Sequence, residues 1–423
     1  MSYSKRFAYV LIALALLALA VAPVAQAQSP VVITWWHINT DETQAAFWQT
    51  IADEFVAANP NVKFEIVVLE NEAFKSRLVT VMQAGDPPDL FQSWGGGVLW
   101  QYAEAGLVKN IAAELEGEWR DSFSAQAALE LYGRNGEYYG VPWTWGAVGM
   151  FYNKALFAQA GIEKTPETWT EFIEVVKTLK AAGITPIALG ERDKWPGHFW
   201  WVYLAIRLGG EEAFLAAYNR SGGFDAEPFV KAGEYLKELI DLEPFLDGYL
   251  GLGYGDQAAA MGDGNAALEL MGQWSPAVQA GSSQSGGIGE DLGWFPFPVV
   301  EGGAGNPNDV LGGGDGFAVG AKAEPEVVEF LKYITSPDVQ RRAAAIWVVP
   351  TVAAAEDALT DPVMQTIVKA RNEAPYFQLY YDQFLPPAMG QVVNDSVEAL
   401  FAGVFSPAEV AAAIEAAAQS ELE

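Results

Sequence analysis

The 423-residue chain contains no cysteine and only two histidines, His37 and His198. The missing thiol excludes disulfides, cysteine nucleophiles, thiolate metal ligands and a lipid-modified cysteine. Two imidazoles leave histidine-dependent catalysis almost no material. Neither a Gly-x-Ser-x-Gly elbow nor a His-Glu-x-x-His helix occurs, so a Ser-His-Asp site and a zinc-protease site both lack their signatures. An Asp-x-Asp-x-Asp-Gly calcium loop is missing too. No motif calls for a metal or a cofactor. Positive charge is scarce: 24 Lys and Arg stand against 54 Asp and Glu, a formal net charge of −30. Nucleic acid and anionic membrane surfaces would repel such a chain.

Long apolar runs are absent after the first residues. Lys5 and Arg6 precede an apolar run from Phe7 to Val24, and Ala25-Gln26-Ala27 fits a small-x-small cleavage site. This reads as a secretory signal over residues 1–27, removed so that the mature chain starts at Gln28. A retained membrane anchor is the competing reading. The whole sequence is 51% hydrophobic and 18% charged, hence globular, and long enough for two or more domains.

Val31 to Trp36 reads as a buried strand that empties into the polar turn His37 to Glu42. Asn39, Thr40 or Asp41 can cap the helix that follows, whose apolar stripe is Phe47, Ile51, Phe55 and Val56. Val62 to Leu69 is a second strand, Phe74 to Gln83 a second helix, and Asp89 to Phe91 a third strand. That rhythm implies a parallel sheet with covered faces. Ligands collect at the carboxyl ends of such strands. Two turns qualify here, Trp36 to Glu42 and Gln92 to Gly97. The glycines of the second turn lack the Gly-Lys-Ser/Thr ending of a phosphate loop.

Tyr138 to Asn153 has no helical period, and Pro142 biases Val141 towards extended backbone. An extended aromatic stretch of this kind can cross from one lobe to another. Gly293 to Pro298 and Val348 to Thr351 look like further crossings. Between them come a helix opened by Thr168-Trp169, a strand from Ile184 to Leu189, and a loop from Lys194 to Trp201. Helices up to Gly210 and beyond it follow, then a strand from Ala266 to Met271 ending in Gly272-Gln273-Trp274. The tail is mostly helical, interrupted at Tyr376 to Phe384.

The chain carries 15 Trp, 16 Tyr and 23 Phe. Trp36, Trp94, Trp143, Trp145, Trp195, Trp200, Trp201 and Trp274 lie at or beside expected turns rather than in helix stripes. Core packing alone accounts for about half of them. Sugars present C–H patches edged by hydroxyls, and an aromatic face with Asp, Asn or Glu around it is their complement. A secreted glycoside hydrolase with two carboxylates fits the same composition, although the eightfold strand–helix rhythm of a barrel is missing.

In this order, the motifs resemble an extracellular solute-binding protein of a bacterial ABC sugar importer, of the oligosaccharide-binding group. They are Trp35-Trp36, Phe55 to Pro60, Gly85 to Leu90, Tyr139 to Pro142 with Phe151 to Lys154, and Gly161 with Thr168-Trp169. Met271 to Trp274, Gly314 to Val319, and Ser336-Pro337 with Gln340 complete the set. The resemblance implies an α/β, two-lobed periplasmic-binding-protein fold, each lobe a mostly parallel sheet flanked by helices, with three inter-lobe crossings. Residues 28–142 and 297–349 would form the N-lobe, and 143–296 and 350–423 the C-lobe. It further implies a soluble monomer outside the cytoplasm, periplasmic or at the cell surface, that delivers an oligosaccharide to membrane permease subunits without turnover. By the same resemblance, Trp36, His37, Asn39, Glu42, Ser93, Trp94 and Gly95 would meet sugar from the N-lobe. Trp274 would stack from the C-lobe, and Asp315 would bind hydroxyls near the hinge. His198, Phe199, Tyr381 and Asp382 would line the same cleft. On the first crossing, strand alternation sends Trp143 and Trp145 to one side, and Trp145 is the expected contact.

Overall fold

The computed structural model describes residues 30–422, so the expected signal segment lies outside the described residues. The first lobe is built on a five-stranded sheet. Val31–His37 pairs in parallel with Val62–Val68 on one side and with Leu90–Ser93 on the other. Gly316–Val319 then joins antiparallel to Leu90–Ser93, and Gly140–Pro142 closes the far edge. Strand alternation sorts the apolar side chains into two layers. Ile33, Trp35, Leu90, Phe317 and Val319 pack on one face with Trp48, Phe55 and Phe330. Trp36, Phe91 and Ala318 pack on the other with Phe74, Leu78 and Leu99. Asp41 caps the helix Glu42–Ala58, accepting from the Gln44 N–H at 2.8 Å.

In the second lobe, Gly149–Asn153 runs antiparallel to both Leu292–Phe295 and Leu268–Met271. The sheets are therefore mixed, where mostly parallel ones were expected. Gly149–Asn153 arrives straight from a crossing rather than from a helical crossover, so nothing imposes parallel pairing on it. The expected strand at Ile184 to Leu189 reduces to single bridges from Ile187 to Phe245 and Leu268. The expected loop at Lys194 to Trp201 is already helix from Trp195 onward. Pro196 occupies its first turn, where a missing N–H costs nothing. The helix runs to Tyr218 with a break at Gly210, whose φ of 61° suits glycine.

The stretch Trp294 to Pro298 does not cross between lobes. Leu292–Phe295 is a strand of the second lobe, and Phe297, Val300, Val310 and Leu311 belong to the same core. The reason is Arg207, which is buried and donates to the carbonyls of Phe297, Pro298 and Asp309 at 2.9, 3.2 and 2.7 Å. A buried guanidinium needs such acceptors, and these tie the segment to the long helix. The chain returns to the first lobe only between Gly313 and Gly316.

Three segments thus run between the two cores: Pro142 to Gly146, Gly313 to Gly316, and Val348 to Leu359, whose Val352 still bridges to Phe123 of the first lobe. They are bonded to one another. The Asp315 carbonyl accepts from Trp143 N–H at 2.7 Å and Thr144 N–H at 3.0 Å. Gln340 donates to the Trp143 carbonyl at 3.0 Å and accepts from Thr351 N–H at 2.8 Å, and Thr351 Oγ1 donates to the Pro142 carbonyl at 3.1 Å.

Candidate functional site

Between the lobes lies a cavity of about 310 Å³. Its floor is made by the crossings, with Trp143, Thr144 and Asp315, and its walls come from both lobes. Asn39, Lys75 and Trp94 stand on the first lobe; Trp195, Phe199, Gln273, Trp274, Tyr380 and Asp382 stand on the second.

The Trp274 ring lies against Gly272: a Cβ there would come within 2.1 Å of it. Tyr380 meets the ring edge-on at 6.0 Å, and Trp195 and Phe199 flank it at 6.4 and 6.5 Å. The segment behind it is held by Glu269, which is fully buried. Its Oε2 accepts from Ser275 Oγ at 2.6 Å and Gln279 Nε2 at 2.7 Å, and its Oε1 from Gln257 Nε2 at 2.9 Å. Burial raises the Glu269 pKa, while those three donors act the other way. Glu269→Gln turns one acceptor into a donor facing a donor. A loss of about 1–2 kcal/mol in thermal stability is expected, read by calorimetry; an unchanged melting temperature would detach Glu269 from the support of Trp274.

Opposite stands Lys75, its Nζ 5.6 Å from the Trp94 ring centroid and 6.0 Å from that of Trp195. It also pairs with Glu72 at 3.0 Å. One ammonium therefore lies between aromatic faces of the two lobes. Lys75→Met is expected to weaken ligand affinity by about 0.5–1 kcal/mol, and calorimetric titration with and without the substitution checks it.

Several buried polar atoms on the cavity have no hydrogen-bond partner among the described residues: Asn71 Oδ1, Thr144 Oγ1, Trp195 Nε1, Gln273 Oε1 and Tyr380 OH. Buried groups of this kind are costly unless something bonds them. The lining as a whole, aromatic rings with Asn39, Thr144, Gln273, Asp315 and Asp382 among them, suits a polyhydroxylated ring. Among the described residues no cluster of three or more His, Asp or Glu could hold a metal ion.

Of the residues expected to contact ligand, Asn39, Trp94, Phe199, Trp274, Asp315 and Asp382 line the cavity. The others do not. His37 is the last residue of its strand, meets Trp35 at a tilt with ring centroids 5.0 Å apart and is buried; burial lowers its pKa to about 4. Trp36 faces the other side of the sheet, under the Arg77 guanidinium at 4.6 Å. Glu42 is exposed on the first helical turn. Ser93 and Gly95 shape the turn instead: Ser93 Oγ accepts from Gly95 N–H at 3.1 Å, and a Cβ on Gly95 would approach the Leu131 carbonyl to 2.8 Å.

Trp145 stacks on Phe377 at 4.3 Å in the second core, while Trp143 lines the cavity. The strand ends at Pro142, so alternation does not carry through to Trp145. His198 is buried on the long helix, its Nε2 3.8 Å from Asp382 Oδ1. Burial depresses its pKa, with Asp382 opposing, so this contact joins a neutral ring to a carboxylate. Tyr381 packs into the core against Phe214 at 5.0 Å, one residue out of register with Tyr380 on the cavity. Lys75 and Asn71 carried no turn or motif signal of their own, and Gln273, though inside the Met271 to Trp274 motif, was not expected as a contact.

Two lobes joined by three bonded crossings, with the cavity between them, are the architecture of an α/β binding protein. The bacterial extracellular solute-binding protein family model matches residues 39–341, and the chain belongs to that family. It is 25% identical over 317 residues to the multiple sugar-binding protein of Streptococcus mutans, covering 72% of this chain and 71% of that one. A solved structure from work on xylan utilization by Caldanaerobius polysaccharolyticus matches with a TM-score of 0.86 and 28% identity, over 92% of this chain and all of that one. A chitin oligosaccharide binding protein matches with a TM-score of 0.85 and 25% identity, over 93% and 99% of the two chains. The alignments with the first three curated relatives span 62%, 71% and 66% of those relatives' lengths. No helix among the described residues is long and apolar enough to cross a membrane.

Proposed function

We propose that the protein captures an oligosaccharide between its lobes outside the cytoplasm and delivers it, unaltered, to the permease of an ABC importer. One observation carries the reading: the rings of Trp94, Trp143 and Trp274 line the inter-lobe cavity together with the polar side chains of Asn39, Thr144, Gln273, Asp315 and Asp382. C–H patches would cover the former and hydroxyls would bond the latter. The sugar ligands named for the relatives point the same way, as does the lack of a catalytic motif. The contact set is Asn39, Lys75, Trp94, Trp143, Phe199, Trp274, Asp315, Tyr380 and Asp382. The first lobe is taken as residues 30–142 and 316–348, the second as 146–313 and 359–422, with the crossings between. The protein acts as a monomer in the periplasm or at the cell surface.

Thermal-shift screening against xylo-, malto- and chito-oligosaccharides, followed by chromatography of the mixtures, tests this. A rise in melting temperature with one series and no new products is expected. Stabilisation by another ligand class alone sinks the sugar assignment, and released products sink the non-enzymatic one.

A further inference from the structure

Five non-glycine residues among those described have positive φ: Asn135, Lys194, Arg220, Glu243 and Trp347. Four are polar or charged. Trp347, at φ 64°, is the large aromatic exception, and a bulky residue in that region is strained. Glycine would form the same turn freely.

The strain is not repaid by core packing. Ile346 and Val348 on either side pack into the first lobe's core, whereas Trp347 is 39% exposed. The ring nevertheless lines the inter-lobe cavity. Like Thr40 and Ser282, it is both cavity wall and solvent-exposed, and of these rim residues it alone carries an aromatic face. It also stands directly before Val348 to Thr351, the start of a crossing, fixed by Gln340 and Thr351. The backbone beneath the ring is therefore held in place.

We propose that Trp347 is a stacking platform for a sugar ring at the open end of the cavity, making it the residue that favours longer oligosaccharides over the shortest ones bound. The inference rests on the sugar-binding reading above. Trp94 and Trp274 grip rings inside the cavity; Trp347 meets the ring that emerges from it. A cavity of about 310 Å³ is at the small end of the range for ligand sites, so added units extend past its open side.

The test uses the full chain and three variants, Trp347→Ala, Trp347→Gly and Trp347→Phe, titrated calorimetrically with di- to hexasaccharides of the xylo- and chito-series. In the series that binds, the first two variants are expected to lose about tenfold in affinity for the longer ligands, or about 1.4 kcal/mol, and nothing for the shortest. Trp347→Phe should restore part of that loss. Trp347→Gly should melt no lower than wild type, since glycine relieves the turn. Equal losses at every length, or a lower melting temperature in Trp347→Gly with length preference intact, would make Trp347 a structural residue and overturn the proposal. If the wild-type protein binds no saccharide at all, the sugar reading fails first, and this inference falls with it.

Discussion

Trp274→Ala is expected to lower oligosaccharide affinity about a hundredfold while the protein stays folded. The ring is half-buried, and its packing is fixed by Gly272 beneath it and by Tyr380, Trp195 and Phe199 around it. A tryptophan so held costs little to order when ligand arrives. If a sugar covers roughly 100 Å² of a side chain that buries up to 250 Å², about 2.5 kcal/mol follows at ~25 cal/mol per Å². Truncation enlarges a cavity already present, so the melting temperature should change little. Titration calorimetry against the best ligand of the wild type measures the loss. Unchanged affinity would remove Trp274 from the site. Gly272→Ala gives an independent check, because a Cβ at 2.1 Å must displace the ring.

Asp315→Asn is expected to cost about 1.5–3 kcal/mol of affinity at neutral pH, the range for hydrogen bonds to a charged group. It should also flatten the pH dependence of binding. Burial lifts the Asp315 carboxyl to about 6, with the Gln92 and Trp94 side chains pulling the other way. Hydroxyls donate to the ionised form, so ligand favours it. Wild-type affinity should therefore level off above about pH 6 and fall by up to about tenfold per unit below it.

Stability of the ligand-free protein runs the opposite way. A carboxyl whose folded pKa is raised contributes stability present below its unfolded value of 3.8 and lost as pH rises through about 6. His37 acts in the reverse sense: its lowered pKa gives stability present above 6.5 and lost as pH falls through about 4. The two overlap in one pH window, so only the difference between wild type and Asp315→Asn isolates the carboxyl. A wild-type dissociation constant that stays flat across that window would exclude Asp315 as an acceptor for the sugar.

How much of this was legible in the sequence depended on distance along the chain. Strand and helix order in the first lobe follows from local pattern, and Asp41, one of three expected caps, is the cap observed. Trp94, Trp274 and Asp315 stand at strand ends beside glycines, where local signals survive. Lys75 and Asn71 lie in a helix like any other, and only tertiary packing brings them to the cavity. Trp36 and His37 seemed to belong to a binding turn, yet they finish the strand, and its pleat sends them to opposite faces. The expected crossing at Trp294 to Pro298 failed for a similar reason. Extended, aromatic and proline-rich describes an interior strand as well as a connector, and the deciding partner, Arg207, is about ninety residues away.

The mutual bonding of the three crossings has a kinematic consequence. In a rotation about those segments, each atom travels in proportion to its distance from the axis. Asp315, Trp143 and Thr144 sit on the axle and barely move, whereas Trp94, Lys75, Trp195 and Trp274 ride on the arms. On the proposed function, a ligand would find its polar anchor already set before the jaws turn, and the aromatic faces would arrive afterwards. Discrimination among hydroxyl patterns would then belong to the encounter, and residence time to the swing.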